Sequence, residues 1–294
     1  GHVLARRYGL SHQTSRSWAW DWVRGAGLSV AYSVGLILAF YVAVAHAGPS
    51  WWLVYWTFLA VVAVLVTAIA PVLLVPIFFR LRPVEDPLLL ARVENLLQRA
   101  GTRVAAICTI DLSSRTVAGN AAVMGLGGSR RIVLGDTLLQ RFSVDEVEAV
   151  LAHELGHHVH RDLWRLLGAR LGVLLVGLFL AGHVAGPLLA LVGGAGLDHP
   201  PDLPLLLLGA QLFAYAAMPA LNAHSRARER AADQYAIALT RKPRAFLQAL
   251  LRLEEQNLVE REPPRWASAL LGTHPPMVER LAMAARAARA GGPA

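Results

Sequence analysis

The chain of 294 residues carries little charge, a single lysine and a single cysteine. Only 16% of its residues are Asp, Glu, Lys or Arg, against roughly 25% in ordinary soluble domains. Hydrophobic residues make up 55%, a balance that excludes a disordered chain and a coiled coil. With Cys108 alone there is no disulfide framework and no cysteine-based zinc site. Because Lys242 is the only lysine, the formal net charge of +8 is an arginine charge. No aromatic–basic stacking platform or binding motif accompanies it, which argues against a nucleic-acid partner. In so apolar a chain a basic excess points instead to the inner face of a membrane. The opening residues do not read as a basic-then-apolar signal peptide.

What the sequence does have is long uncharged runs. None of Asp, Glu, Lys or Arg occurs between Arg24 and Arg80, and the run divides at His46-Ala47-Gly48-Pro49-Ser50 into apolar segments Ala26–Ala45 and Trp51–Phe79. Two more runs, Leu171–Leu197 and Leu203–Ser225, flank the turn Asp198-His199-Pro200-Pro201-Asp202. A helix crosses a hydrocarbon core of ~30 Å in ~20 residues, so all four are long enough to span. Four buried helices of a large soluble protein would be the alternative, but these runs are apolar on every side. The basic residues fall into three blocks, Arg6–Arg24, Arg80–Arg170 and Arg226–Arg289, and neither outer turn has any. The positive-inside rule therefore places both termini and the middle block in the cytoplasm. Trp18, Trp20 and Trp22 precede the first span, and Trp51, Trp52 and Trp56 sit at the opposite interface.

The expected architecture is mainly α and integral to the membrane, with four transmembrane helices in two hairpins and a cytoplasmic α/β region. Its parts are an N-terminal segment (1–25), a first hairpin (26–79), a catalytic region (80–165), a second hairpin (166–224) and C-terminal helices (225–294). Pro71, Pro76 and Pro187 fall inside spans, where kinks are expected. His183 and Gln211 are also within spans and are expected to bond across to neighbouring helices; lining a cavity is the alternative. In the catalytic region, Asp86-Pro87 opens a helix over Leu88–Ala100. Val104–Leu112, Arg115–Val123 and Arg131–Leu134 have strand composition, and Gly125–Ser129 reads as a turn. Ser143-Val144-Asp145-Glu146 is a capping box at the start of the next helix.

That helix carries His153-Glu154-Leu155-Gly156-His157. Histidines four apart share one helix face and can reach one metal ion, with Glu154 beside them to take a proton from an attacking water. Ordinary surface histidines on a polar face are the competing reading. A zinc hydrolase needs a third protein ligand and an open fourth position. Glu229 and Asp233, again four apart, supply a ligand and a carboxylate to hold a ligating histidine from behind. On an arginine-rich helix such acids are usually surface ion pairs. Here the second hairpin would bring their segment back to the histidine helix, which weighs toward the metal.

Together these residues resemble the integral-membrane zinc metalloproteases of the CAAX prenyl protease 1 type, over most of the chain. The resemblance also rests on Arg6–Ser11, Gly119–Gly127, Arg131–Leu139 and Thr273–Arg280. It implies a zincin-like (gluzincin) catalytic domain with a small sheet, one Zn2+ per chain held by His153, His157 and Glu229, and Glu154 as general base. It further implies that Asn120 and Ala121 lie on a strand that pairs with an extended substrate, that His274 stabilises the oxyanion, and that Arg226 aids substrate binding. On residue grounds alone His274 equally suits a turn before Pro275, and Arg226 a charged helix surface. His158 and His160 adjoin the motif at a different helical angle and are expected in solvated or interfacial roles.

Members of this type carry further spans ahead of the arginine-rich loop. That departure leaves a shorter variant or part of a longer chain as alternatives, with an incomplete intramembrane chamber in either case. The HtpX-type quality-control protease is the nearest competing family, and a non-catalytic membrane scaffold the competing class. Arginine-heavy composition suggests a GC-rich bacterium and hence the inner membrane. Membrane-associated peptides or proteins are then the expected substrates, and the lipid bilayer the standing partner.

Overall fold

A computed structural model describes the chain apart from residues 1, 74, 126, 127, 129, 259, 261 and 291–294 and the side chains of 70–73. Leu126, Gly127 and Ser129 of the expected turn, and the side chain of Pro71, thus lie outside the described residues. The chain divides into two compact units, one of residues 1–19, 68–163 and 222–294 and the other of 20–67 and 164–221.

The second unit is built from the greater parts of four long helices, α2 (Ser15–His46), α3 (Trp51–Leu73), α8 (Asp162–Leu191) and α9 (Leu203–Thr240), whose remaining residues belong to the first. Each is long and apolar enough to cross a membrane, and at most 6% of any 18-residue apolar window is buried. Such exposure of Leu, Val and Phe side chains would be untenable in water but suits lipid. This excludes the alternative of four buried core helices. Tyr55 donates to the Leu36 carbonyl at 3.2 Å, joining α3 to α2. Trp56 Nε1 donates to the Leu171 carbonyl at 2.9 Å, joining α3 to α8. Gly177 is where α8 admits the Phe213 ring of α9, which would lie only 2.7 Å from an added Cβ. Pro187 is accommodated within continuous α8, whereas α3 ends at Leu73 and a short α4 (Val75–Phe78) contains Pro76. His183 departs from expectation: its Nδ1 lies 2.8 Å from the Phe179 carbonyl four residues back. Its polar need is met within its own helix rather than across to a neighbour. Gln211 is exposed on α9.

The other unit begins with α1 (His2–Arg7) and holds a four-stranded sheet in the order β1-β2-β4-β3, from β1 (Leu81–Pro83), β2 (Ala106–Ile110), β3 (Ala121–Met124) and β4 (Arg131–Gly135). Strands β2 and β4 are parallel and the outer pairs antiparallel. The unexpected strand β1 contains Pro83, tolerable because β1 lies at the sheet edge. Strand β3 starts later than its β-rich sequence suggests. Ahead of it the backbone is tied elsewhere: Val117 N–H donates to the Leu10 carbonyl, Ala118 N–H to Thr116 Oγ1 and Gly119 N–H to Gln256 Oε1. With those donors taken, a strand ladder cannot form there.

Helix α5 (Pro87–Arg99) is capped by Asp86, which accepts from Leu88 N–H at 2.9 Å. After the short α6 (Asp136–Arg141) comes α7 (Val144–Val159), opened by the expected capping box: Ser143 N–H donates to Glu146 Oε2 at 2.6 Å and Glu146 N–H to Ser143 Oγ at 3.3 Å. Leu96, Ile132, Leu134, Val147, Leu151 and Leu155 are buried together with Phe246 and Leu250 of α10 (Pro243–Asn257). The only lysine fastens this core: Lys242 Nζ lies 2.6 Å from both Asp145 and Glu148 on the first turns of α7. Helices α11 (Arg265–Leu270) and α12 (Met277–Ala290) complete the unit.

Candidate metal and catalytic site

The capping box and the packed face Val147-Leu151-Leu155 fix the rotation of α7, and with it the direction of the two imidazoles. Glycine at position 156 lets α9 approach: an added Cβ there would lie 3.1 Å from Ala232 Cα and 3.3 Å from its carbonyl. That close crossing brings Glu229 and Asp233, one turn apart on α9, against the histidines.

Three residues that could hold a metal ion converge, with one donor atom of each within 4.8 Å of the others. His153 Nε2 and His157 Nε2 are 3.1 Å apart. Glu229 Oε2 lies 3.5 Å from the first and Oε1 lies 3.4 Å from the second. Donors on a tetrahedral ion with bonds of ~2.05 Å stand about 3.3 Å apart, so these separations, with each histidine facing a different oxygen of Glu229, are of the size a zinc ion would need. Glu229 Oε2 is buried without a hydrogen-bond partner among the described residues. Two imidazole nitrogens facing each other beside such an oxygen form a donor set that a divalent cation would satisfy on displacing their protons. The donors are two imidazoles and a carboxylate, with none softer, which suits zinc.

Each histidine is held from behind. His153 Nδ1 lies 2.8 Å from Asp233 Oδ1, and Asp233 is fully buried. Arg280 of α12 grips the same carboxylate with two bonds of 2.8 and 2.7 Å. His157 Nδ1 lies 3.0 Å from Asp162 Oδ2, with Arg228 3.8 Å from the other oxygen. Burial pulls the His153 imidazolium down, but the Asp233 and Glu229 carboxylates more than reverse this, to a pKa of about 9. Burial raises the carboxyl of Glu154, against the opposing pull of the two histidines. A carboxyl raised toward neutrality is better matched to proton transfer than an ordinary glutamate.

The other sequence candidates fall around this centre. His274 Nε2 is 3.5 Å from Glu229 Oε1, and its Nδ1 is 3.0 Å from Thr273 Oγ1. Arg226 donates to the Ser268 and Gly272 carbonyls at 3.0 and 2.6 Å, bracing the backbone just ahead of His274. The Asn120 carbonyl accepts from Gly135 N–H of β4. Because an antiparallel ladder alternates, Ala121 and Val123 turn their N–H and C=O groups to the outer edge of β3. No strand covers that edge among the described residues. The ring of His160 meets the Tyr235 ring edge-on at 5.5 Å.

Sequence reasoning missed Asp162 and the role of Arg280. Asp162 reaches His157 only because Arg161 adopts φ +55°, a left-handed turn rare for a residue with a side chain. The local signal was an acid five residues past the second histidine, a spacing on no single helix face. Replacement of Asp162 by Asn keeps an acceptor but loses the charge that would make His157 a stronger ligand of a bound metal. Zinc affinity of D162N, measured by chelator competition, is expected to fall about 10- to 100-fold. An unchanged affinity would show that Asp162 only caps α8.

The comparisons with known proteins follow this geometry. The family model described as "Peptidase family M48" matches residues 83–288. A second, described as "CAAX prenyl protease N-terminal, five membrane helices", matches residues 1–80. An uncharacterized metalloprotease of Bacillus subtilis, YhfN, is 30% identical over 285 residues, covering 96% of this chain and 67% of that protein. A CAAX prenyl protease 1 homolog of rice is 29% identical over 292 residues, covering 95% and 66%. CAAX prenyl protease 1 of Saccharomyces cerevisiae is 39% identical over 158 residues, covering 53% of this chain and 34% of that one. The crystal structure of S. mikatae Ste24p superposes with a TM-score of 0.85 at 27% identity, over 96% of this chain and 69% of that one. The chain thus spans about two thirds of the length of the relatives it matches end to end.

Proposed function

This chain belongs to peptidase family M48, and from that premise we propose that it is an integral-membrane zinc endopeptidase. It hydrolyses peptide bonds in membrane-associated peptides or proteins at the cytoplasmic face of a bacterial inner membrane. The observation that carries the reading is the ligand triangle of His153, His157 and Glu229 with Glu154 beside it. The CAAX prenyl protease 1 likeness is favoured over the HtpX type by the relatives and the Ste24p-like fold.

Zinc held by the triangle would polarise the scissile carbonyl and acidify water. The chain's own residues do the rest. An extended peptide adds to the open edge of β3, bonding to Ala121 and Val123. Glu154 takes the proton of the attacking water and then delivers it to the leaving amine. His274, through Nε2–H, donates to the oxygen that becomes negative. Asp233 with Arg280, and Asp162 with Arg228, keep both imidazoles aimed while charge moves.

Detergent-purified protein is expected to contain about one zinc per chain and to cleave a bilayer-associated peptide. A chelator should abolish cleavage and added zinc restore it. Protein without metal and without cleavage would favour the scaffold reading.

A further inference from the structure

The segment leading to His274 carries an apolar face that the mechanism leaves unused. Trp266 is 64% exposed, Leu270 43% and Leu271 55%; the spacing of four puts Trp266 and Leu270 on one side of α11, and Leu271 follows at its C-terminal end. Two side chains of α9, one turn apart, hold the backbone of this segment. Asn222 Nδ2 donates to the Leu270 carbonyl at 2.7 Å, and Arg226 donates to the Ser268 and Gly272 carbonyls.

Those two anchors straddle a change in the character of α9. The uncharged run ends at Ser225, and Arg226 is the first charge after it. At 1.5 Å per residue the run from Leu203 is about 34 Å long, slightly more than a hydrocarbon core of ~30 Å. Asn222 therefore lies in the last turn of the lipid-exposed stretch, and α11 is tied to α9 at that depth. A tryptophan flanked by Arg265 has the composition of a membrane-interface anchor.

We propose that Trp266, Leu270 and Leu271 insert into the bilayer interface, making α11 a membrane-contacting ledge of the catalytic unit. The lipid surface is the occupant because the carbonyls are tethered at the depth where α9 leaves the membrane. Gly272 is the last tethered residue and His274 lies two further on. The height of the bilayer surface is thereby coupled to the position of the imidazole that meets the substrate carbonyl. The inference rests on the membrane-spanning reading of α9.

The test uses full-length protein in phosphatidylethanolamine–phosphatidylglycerol liposomes, with Cys108→Ser as the background. Single cysteines at Trp266 and Leu271 carry a nitroxide, and two positions are used so that one failed variant does not decide the matter. Leu212 on α9 serves as the lipid reference and Asn95 on α5 as the water reference. Power saturation compares accessibility to oxygen, which concentrates in lipid, with that to a water-soluble nickel chelate. Labels at 266 and 271 are expected to favour oxygen, as at 212. Nickel accessibility at 266 and 271 equal to that at 95 would overturn the ledge. Shielding from both reagents would overturn it too, since protein would then cover the face. If the label at 212 itself reports water, the spanning reading of α9 fails first, which separates the two failures.

Discussion

Glu154→Gln is expected to retain its metal and lose its chemistry. Glutamine occupies the same volume beside His153 and His157 but cannot accept a proton from water. General acid–base catalysis contributes roughly 10²- to 10⁴-fold, equivalent to about 3 to 5 kcal/mol of barrier. Cleavage by E154Q should fall by that range at saturating peptide, while zinc content by elemental analysis stays at the wild-type level. The pairing of these two readouts is informative because, among the described residues, Glu154 makes no hydrogen bond or ion pair with His153, His157 or Glu229. If E154Q cleaves at the wild-type rate, another group accepts the proton. Loss of zinc as well would make Glu154 part of the metal's support.

Glu229→Ala has the opposite signature. It removes one corner of the triangle while leaving the histidines anchored by Asp233 and Asp162. Zinc should fall from about one per chain to a trace, a loss well beyond the ~10- to 100-fold expected when an orienting carboxylate is removed. Helix content by circular dichroism should hold, because the Glu229 contacts of 3.4 and 3.5 Å contribute little to packing. Full zinc in E229A would mean that His274, 3.5 Å from that carboxylate, or another donor completes the set.

The contrast between these variants follows from what the sequence made legible. His153 and His157, and Glu229 and Asp233, are pairs at i and i+4, so helical periodicity alone assigns each pair one face. The four uncharged runs were equally plain, because crossing a bilayer sets a length that sequence displays directly. Contacts that depend on irregular backbone were not legible. Asp162 meets His157 through the left-handed turn at Arg161, and Arg280 meets Asp233 across 47 residues of sequence. Strand β3 was placed too early because Arg115–Asn120 has β composition, yet its backbone groups are claimed by Leu10, Thr116, Gln256 and β4. Propensity describes a residue, whereas the ladder depends on which partners are already taken.

The absent side chain of Gly156 has a consequence for ion choice. Two histidines come from one helix and the glutamate from another, so the gap between the helices is the gauge of the coordination sphere. A hydrogen atom at position 156 sets that gauge. A methyl group there would push the Ala232 backbone away by a few tenths of an ångström and lengthen every edge of the triangle that crosses between α7 and α9. The carboxylate would then stand off from a small tetrahedral ion and suit a larger one, such as manganese, with more water around it. In the proposed zinc site, ion choice would then rest partly on a residue that is not itself a ligand.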